Sequence, residues 1–331
     1  MKASHKIDIK KFVSWIILLV LLLMFSILSP RFRRFDNAIT ILRQVSIDGI
    51  MAVGLTYVLI AGGIDLSMGN MLGFTGTLTA MLVVENNVPI LLACLIGILA
   101  ATLFGLFNGV SITYTNMPPL ISTLGMSYVI KAGAYLIHGG MPVYSLPAEM
   151  QFIGQGYIGP IPVPVIIFVV ISIIGAFFLN KTSYGRSVFA IGSNKEAARL
   201  AGLNIKKLQI AVYTVAGFLS GLGGIIMMSR LNAGQPGTGT DTSMDLIIGC
   251  VLGGVSASGG EGSIIGMIGG VLVMGVLSNG MTILGLNEYY QLLMKGAVLV
   301  IAVGIDYYTR MKNSEKKARI IHPGDRKAVE K

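Results

Sequence analysis

Long apolar runs recur through this chain and constrain its fold more than any other feature. Residues 12–29, 163–179 and 264–284 each approach or pass the roughly 18 apolar residues that mark a candidate membrane-spanning helix. Hydrophobic residues form 53% of the 331-residue chain and charged residues only 12%, whereas soluble domains contain about 25% charged residues. We therefore expect an all-α polytopic membrane protein.

Hydropathy along the chain predicts about ten transmembrane helices. They cover residues 12–29, 45–62, 67–84, 89–111, 119–137, 163–180, 208–229, 243–256, 263–285 and 288–308. The segments 67–84 and 243–256 are rich in Gly with Thr or Ser, and either is compatible with a helix that enters the membrane and breaks against protein or a water-filled cavity. The first run is long for a signal peptide and is followed by Ser29-Pro30-Arg31, so we interpret it as an uncleaved helix.

Basic residues predict the orientation, because Lys and Arg concentrate in cytoplasmic segments. A cytosolic N-terminus places residues 1–11, 181–207 and 309–331 on one side, with 18 of the 25 Lys and Arg residues. We therefore predict two cytosolic tails, 1–11 and the basic 309–331, and a transmembrane domain, 12–308, that contains the cytosolic loop 181–207. A basic cluster between residues 31 and 43 is the exception. This distribution explains the net charge of +10 without a nucleic-acid partner.

Catalytic and metal-binding patterns are absent from the sequence. The three His residues lie far apart, the two Cys residues lie inside apolar runs, and no His-Glu-x-x-His, Gly-x-Ser-x-Gly or Cys-x-x-Cys pattern occurs. The chain also contains no Gly-Lys pair, so it has no Walker-type phosphate loop. We expect no catalytic residue, no metal and no cofactor, and any ATP would be bound and hydrolysed by a partner chain.

Ionisable residues at membrane depth are costly and are therefore candidate functional residues. Seven fall within or at the ends of the predicted helices: Asp48, Asp65, Lys131, Asp245, Glu261, Lys295 and Asp306. The acidic residues lie close enough to predicted helix ends to reach water, and the two lysines are long enough to snorkel.

The segment 62–67, Gly-Gly-Ile-Asp-Leu-Ser, combines a Gly pair, a carboxylate and a hydroxyl at a predicted helix start. Asp65 and Ser67, together with Asn70 one turn later, are candidates for the translocation path, although a helix cap explains Asp65 or Ser67 equally well. Most glycines are explained by close helix packing. The pairs that join two predicted helices are gating or hinge candidates: Gly62, Gly63, Gly259 and Gly260.

The loop 181–207 is the one long polar segment between apolar runs. Its residues 194–201 predict a short helix that Ser193 or Asn194 caps and that ends at Gly202. A small apolar face, formed by Ala197, Ala198, Leu200, Ala201 and Leu203, would enter a groove on a cytosolic partner. An amphipathic linker on the membrane surface is the alternative. The predicted docking residues are Asn194, Glu196, Ala197, Ala198, Arg199 and Gly202.

Four segments resemble the ribose-type permeases of bacterial ABC importers, a family that serves ribose, galactose, xylose, arabinose and autoinducer-2. Residues 52–69 are similar to its Gly-Ile-Asp-Leu-Ser segment, and residues 119–126 to its Phe-Ile-x-Thr-Leu-Gly stretch, with Leu in place of Phe. Residues 185–202 resemble its cytosolic loop, and residues 251–262 resemble its late Gly-rich segment. The resemblance covers about residues 40–310.

This resemblance implies a multi-pass subunit of the bacterial cytoplasmic (inner) membrane with the ABC importer permease fold, paired within the lipid with a second copy or a close paralogue. Two ATPase subunits would dock in the cytosol, with residues 194–202 as the coupling helix. An external, periplasmic sugar-binding protein would deliver the substrate. ATP would then be used by the partner chains, while this chain supplies the path and the gate.

The transported solute is less closely defined. Residues 231–236 look most like ribose permeases and favour a pentose or a similar small sugar. Autoinducer-2 or another non-sugar solute stays open, and the branched-chain amino-acid permeases are the nearest neighbours within the importer class. An ion-driven secondary transporter would instead require an ionisable relay inside the membrane, and a channel or structural subunit would need no docking helix.

Overall fold

Helices dominate the computed structural model, which describes residues 10–321 of the chain and the side chains of residues 14–304. Apolar segments favour helices because a bilayer offers no water to pair with exposed backbone N–H and C=O groups. In chain order the helices are α1 (Lys10–Leu28), α2 (Phe35–Ile60), α3 (Met68–Val84), α4 (Ile90–Thr115), α5 (Pro119–Ile137), α6 (Ala148–Gln155), α7 (Val163–Lys181), α8 (Ser183–Ser193), α9 (Lys195–Leu200), α10 (Ile205–Leu231), α11 (Thr242–Leu252), α12 (Ile264–Ile283) and α13 (Glu288–Ile321). The strands, of two residues each, are β1 (Val143–Tyr144), β2 (Tyr157–Ile158), β3 (Ile161–Pro162) and β4 (Ala233–Gly234).

Within the part of the chain that the structure describes, six helices are long and apolar enough to cross a membrane, namely α2, α4, α5, α7, α10 and α12. Shorter apolar helices are formed by residues 14–28 of α1, by α3 and by α11. The prediction of a polytopic helical membrane protein is therefore confirmed, and the count of ten crossings remains a prediction.

The helix within the predicted span 243–256 is shorter than that span. With 11 residues, α11 rises about 16 Å, roughly half of the 30 Å hydrocarbon core. It is followed by a turn in which Gly254 has a φ of +79°. The segment therefore fits the interpretation of a helix that ends inside the protein.

The predicted domain boundary at residue 308 falls inside a helix, since α13 continues to Ile321. Residues 1–9 and 322–331 of the two predicted tails lie outside the described part of the chain, as does the side chain of Asp306.

Helix α2 forms the centre of the bundle. Every residue from Gly49 to Ile60 is buried, and α2 packs against α7, α10, α11 and α12. The helix begins at Phe35, whereas hydropathy predicted a start at residue 45. Asp48 consequently lies in the middle of α2, and the expectation that its carboxylate lies beside a helix end was wrong.

Glycines allow two helix pairs to approach closely. A Cβ added at Gly217 of α10 would lie 2.5 Å from the carbonyl oxygen of Ala101 in α4. A Cβ added at Gly270 of α12 would likewise overlap the carbonyl oxygen of Gly249 in α11. No side chain fits at these positions, so the close-packing interpretation is confirmed for them.

The connections between helices gather at two ends of the bundle. At one, which we call the β end, β1 pairs with β4, β2 pairs with β3, and α6 packs on α10. Arg43 of α2 belongs to this end: its Nη2 donates to the Gln155 carbonyl at 2.7 Å, and its guanidinium lies 4.6 Å from the centre of the Tyr157 ring. The other end, which we call the α9 end, holds the turn after α2, the elbow between α4 and α5, and the helices α8 and α9.

Candidate functional site at the α9 end

The polar loop 181–207 folds into two short helices that meet at Asn194. Asn194 has an extended backbone, and its Oδ1 accepts a hydrogen bond from the Ala197 N–H at 2.9 Å. Of the two predicted caps, Asn194 is therefore the one that caps α9, while Ser193 donates to the Phe189 carbonyl at 2.8 Å. The chain leaves α9 through Gly202, whose φ of +82° is the left-handed conformation expected after a helix C-terminus.

Helix α9 divides the apolar face that the sequence predicted. Leu200 is 82% exposed, and Ala197 is also exposed, so both are accessible to a partner. Ala198 is only 4% exposed and packs against the rest of the chain. Arg199 Nη2 lies 2.9 Å from Glu196 Oε2 in an exposed ion pair, which stabilises the helix only slightly because water screens it.

The two predicted Gly pairs come together beside this loop. The Gly260 N–H donates to the Ile60 carbonyl at 2.8 Å, which ties the loop before α12 to the last turn of α2. A Cβ added at Gly259 would lie 2.9 Å from Gly62 Cα and 3.0 Å from the Gly192 carbonyl of α8. We call this meeting of α2, α8 and the loop before α12 the glycine contact. Backbone meets backbone there without intervening side chains.

A cavity of about 470 Å³ lies beside the glycine contact. It is lined by the elbow between α4 and α5 (residues 116–119), the corner between α8 and α9 (residues 191–195), Gly62 and Ser258, among others. The structure thus brings the predicted gating residue Gly62 and the predicted docking residue Asn194 to one concave surface.

Asp65 and Ser67 belong to a buried hydrogen-bond network at the start of α3, and Asn70 makes a separate buried bond to α5. Asp65 is fully buried, and its Oδ1 accepts hydrogen bonds from the Ser67 N–H at 2.9 Å and the Ser67 hydroxyl at 2.6 Å. Asn108 of α4 donates to Ser67 Oγ at 2.8 Å, and Asn70 donates to Ser127 Oγ of α5 at 2.7 Å. These bonds hold α3 against α4 and α5, and none of the three predicted residues lines the large cavity.

The first turn of α3 is capped from another helix. Ser67 stands at the cap position without a side-chain capping bond. Ser243 of α11 instead accepts the Gly69 N–H at 2.9 Å and donates to the Leu66 carbonyl at 2.9 Å. Next to this turn, the Tyr213 hydroxyl of α10 donates to the Ile64 carbonyl at 3.3 Å, beside Gly63.

Sequence reasoning identified Ser67 and Asn70 but missed the neutral residues that bond to them or to the backbone beside them, Asn108, Ser127 and Ser243, because away from the segment 62–70 it searched the predicted helices only for ionisable residues. Asn108 was detectable, since it is a lone amide inside the apolar run that became α4, and an unpaired amide there is costly. Ser127 and Ser243 carry no such signal, because serines often bond to their own helix backbone.

Three charged residues occupy another place in the bundle. Lys295 Nζ of α13 lies 2.6 Å from Asp245 Oδ2 of α11, so the two side chains form an ion pair. Asp48 of α2 lines a small pocket with Asp245. Among the residues whose side chains are described, no group of three or more His, Cys, Asp or Glu is arranged to hold a metal ion.

Comparison with known families identifies the class of protein to which this helical bundle belongs. The family described as the permease component of the branched-chain amino acid transport system matches residues 37–303. The chain therefore belongs to this family of permeases, and its resemblance to ribose-type ABC importer permeases is confirmed.

Individual relatives cover almost the whole chain. The ribose import permease RbsC of Bacillus subtilis is 40% identical, over 87% of this chain and 90% of its own length. RbsC of Escherichia coli is 38% identical over 88% of this chain and 92% of its own length. The xylose permease XylH of Escherichia coli is 30% identical over 84% of this chain and 86% of its own length. No solved structure matches the chain significantly.

Proposed function

We propose that this chain is the membrane permease subunit of an ATP-driven importer for a monosaccharide. The proposal depends most on α9, a capped helix that projects an 82% exposed leucine from a membrane bundle. The chain has no phosphate loop, so separate ATPase subunits bind α9 and hydrolyse ATP. The permease contributes no catalytic residue and no cofactor.

In this proposal the glycine contact connects α9, through α8, to the end of α2 and to the loop before α12. Gly192 at the end of α8 touches the end of α2 and the loop before α12 through backbone atoms. Close-packed backbones transmit displacement because they cannot deform as flexible side chains do. Movement of α9 by the ATPases therefore shifts α2 and α12, and the bundle switches between two packed arrangements.

In this proposal the α9 end and both termini lie in the cytosol, and ten helices cross the bacterial cytoplasmic membrane. The distribution of basic residues supports this orientation. A second copy or a close paralogue completes the path, and an external sugar-binding protein docks at the β end. Asp65, Ser67 and Asn70 position α3 beside the path through their buried hydrogen bonds.

The favoured substrate is D-ribose or a related pentose. Relatives named ribose import permeases are 36–40% identical to this chain, whereas those named xylose permeases are 28–30% identical. Autoinducer-2 or another non-sugar solute is the alternative within the importer class.

Affinity purification from native membranes tests the proposal. We expect tagged chain to retain an ATPase subunit, and membrane vesicles that contain both to accumulate labelled D-ribose when ATP and the external binding protein are supplied. Unlabelled D-xylose and leucine serve as competitors that separate the substrate classes. Folded chain that carries no ATPase and accumulates no sugar would overturn the proposal.

An ion-driven transporter is the second candidate, because Asp48, Asp245 and Lys295 place three charges inside the bundle. Uptake into the same vesicles distinguishes this candidate from the ATP-driven importer. Accumulation without the ATPase, driven by a proton or sodium gradient, would support this candidate and exclude the importer.

A further inference from the structure

The cavity at the α9 end offers mainly neutral hydrogen-bonding groups. Asn116 and Gln209 contribute side-chain amides, Ser193 and Ser258 contribute hydroxyls, and Lys195 is the charged residue among those that line it. Amides and hydroxyls both donate and accept hydrogen bonds, which suits a ligand with several hydroxyl groups and no charge. A volume of about 470 Å³ lies within the range of roughly 300–1,000 Å³ that is usual for small-molecule sites.

One part of the lining is fixed by contacts between helices. The hydroxyls of Ser111 and Ser122 lie 2.8 Å apart and join α4 to α5 across the elbow. A Cβ added at Gly109 would lie 2.8 Å from Ile210 Cα, so α4 and the start of α10 are in close contact. These contacts join α4, which ends just before Asn116, to α5 and to the part of α10 that carries Gln209.

The other part of the lining is the corner between α8 and α9. It contains the extended Asn194 and leads into the helix that the proposed function assigns to the ATPase. A ligand between the elbow and this corner would oppose any approach of the corner to the elbow. Binding in the cavity and movement of α9 are coupled for this reason.

We propose that this cavity binds a monosaccharide at the cytosolic end of the path, and that the bound sugar opposes movement of the α8–α9 corner. Imported sugar then slows its own further import. The inference rests on the proposed function and adds to it a product site that limits accumulation.

Cysteine protection tests binding directly. The reporter is Ser258→Cys, an exposed residue of the lining, in a chain with Cys94→Ala; the second native cysteine, Cys250, is fully buried. The control is Ser183→Cys, which is exposed at the start of α8 outside the lining. The sample is the permease with its ATPase in lipid nanodiscs without ATP, and the readout is the rate of maleimide labelling.

We expect D-ribose to slow labelling at position 258 saturably, by about tenfold at ten times the dissociation constant. Sucrose at equal osmolality should not change the rate of labelling at position 258. Neither sugar should change the rate of labelling at position 183. An unchanged rate at 258, or equal slowing at both positions, would overturn the inference.

Two asparagines provide a matched pair of variants. Asn116 in the lining has a φ of +54°, and Asn232 at the β end has a φ of +52°, so glycine suits both backbones. Asn116→Gly with Gln209→Leu removes two amides and should raise the half-effective D-ribose concentration at least about tenfold, whereas Asn232→Gly should leave it unchanged. An unaltered half-effective concentration in the double variant would contradict the assignment.

Transport separates this inference from the proposed function. We expect D-ribose placed on the α9 side of the vesicles to slow ATP-driven uptake in the native chain and to do so only at higher concentration in the double variant. Normal ATP-driven uptake without such slowing overturns the product site alone. Absence of any ATP-driven uptake overturns the proposed function itself.

Discussion

Single residues in this chain are constrained either by lack of space or by the need to satisfy buried polar groups. Gly217 lies where α10 touches α4, and Asp65 lies where both hydrogen-bond donors of Ser67 need an acceptor. The partner of Gly217 is Ala101 of another helix. Ser67, which donates to Asp65, in turn accepts a hydrogen bond from Asn108, 41 positions away in sequence. Their roles therefore depend on tertiary packing.

Gly217→Val should destabilise the fold. The added Cβ would lie 2.5 Å from the Ala101 carbonyl and 2.9 Å from Gly105 Cα, both backbone atoms. We expect a loss of about 2–3 kcal/mol in the free energy of unfolding, as is usual for overpacking. Gly125→Val in α5 is the control, since an added Cβ there meets nothing within 4 Å. Thermal unfolding in detergent measures both, and equal losses would contradict the packing account.

Lys295→Met should destabilise the fold more than the simultaneous replacement of Lys295 and Asp245. The variant leaves Asp245 as an unpaired, largely buried acid close to Asp48. We expect about 2–4 kcal/mol of destabilisation, and recovery of most of it in the double variant Lys295→Met with Asp245→Leu. Chemical denaturation of the three proteins provides the comparison. If the double variant were no more stable than Lys295→Met, an unpaired Asp245 would not be the cause of the destabilisation.

His138 makes stability at the β end depend on pH. Its Nδ1 lies 2.8 Å from the Met141 carbonyl and its Nε2 lies 2.6 Å from Glu85 Oε1. The hydrogen bond to Met141 and then the charge of Glu85 raise the pKa of His138, because the doubly protonated ring donates to both oxygens.

Because the pKa of His138 is raised in the folded protein, the stabilisation is present below its unfolded pKa and is lost as pH rises through the folded one. Glu85→Gln should therefore lower the unfolding temperature at about pH 6 and have little effect at about pH 9. Melting curves of both proteins at the two values check this. A loss of the same size at both values would exclude the titration of His138 as the cause.

Helix α9 exposes an apolar side chain at the α9 end of the bundle. It has six residues and is held by the Asn194 cap and by buried Ala198, while Leu200 extends into solvent. The sequence predicted the helix, its cap and its terminal glycine, because these features are local. It did not reveal that Ala198 faces inward, since a helix this short gives no amphipathic pattern from which to choose a face.

Leu200→Asp should abolish ATPase binding without unfolding the chain. An apolar side chain that fills a groove on a partner contributes about 2 kcal/mol or more to binding, so we expect at least about a thirtyfold loss of affinity. Ser183→Asp at the start of α8 adds the same charge on an exposed residue as the control. Retained ATPase in copurification of Leu200→Asp would place the docking site elsewhere.

For the whole molecule, hydropathy predicted most of the helical regions but not which helices and side chains contact each other. The predicted span 119–137 has the same limits as α5, because prolines and an apolar run define it. The predicted start of α2 was ten residues late, since Asp36 and Arg43 lower local hydropathy. Arg43 is instead accommodated by Gln155 and Tyr157, more than 100 residues away in sequence.

In the candidate site, too, the local features could be predicted from the sequence and the contacts between them could not. The glycine pairs were predicted separately as gating or hinge positions, and their contact with each other and with Gly192 follows only from the tertiary fold. The cavity beside them had no sequence signature, because its lining comes from six separate segments of the chain. Local chemistry was predictable, and its assembly into one surface was not.

Uptake of labelled D-ribose into vesicles tests the central claim most directly. The vesicles contain the native chain or Leu200→Asp, each with and without the ATPase subunit, with ATP on the α9 side and the external binding protein on the other. We expect accumulation only for the native chain with its ATPase and ATP. Accumulation by Leu200→Asp at the native rate, or by the native chain alone under an ion gradient, would contradict the proposed function.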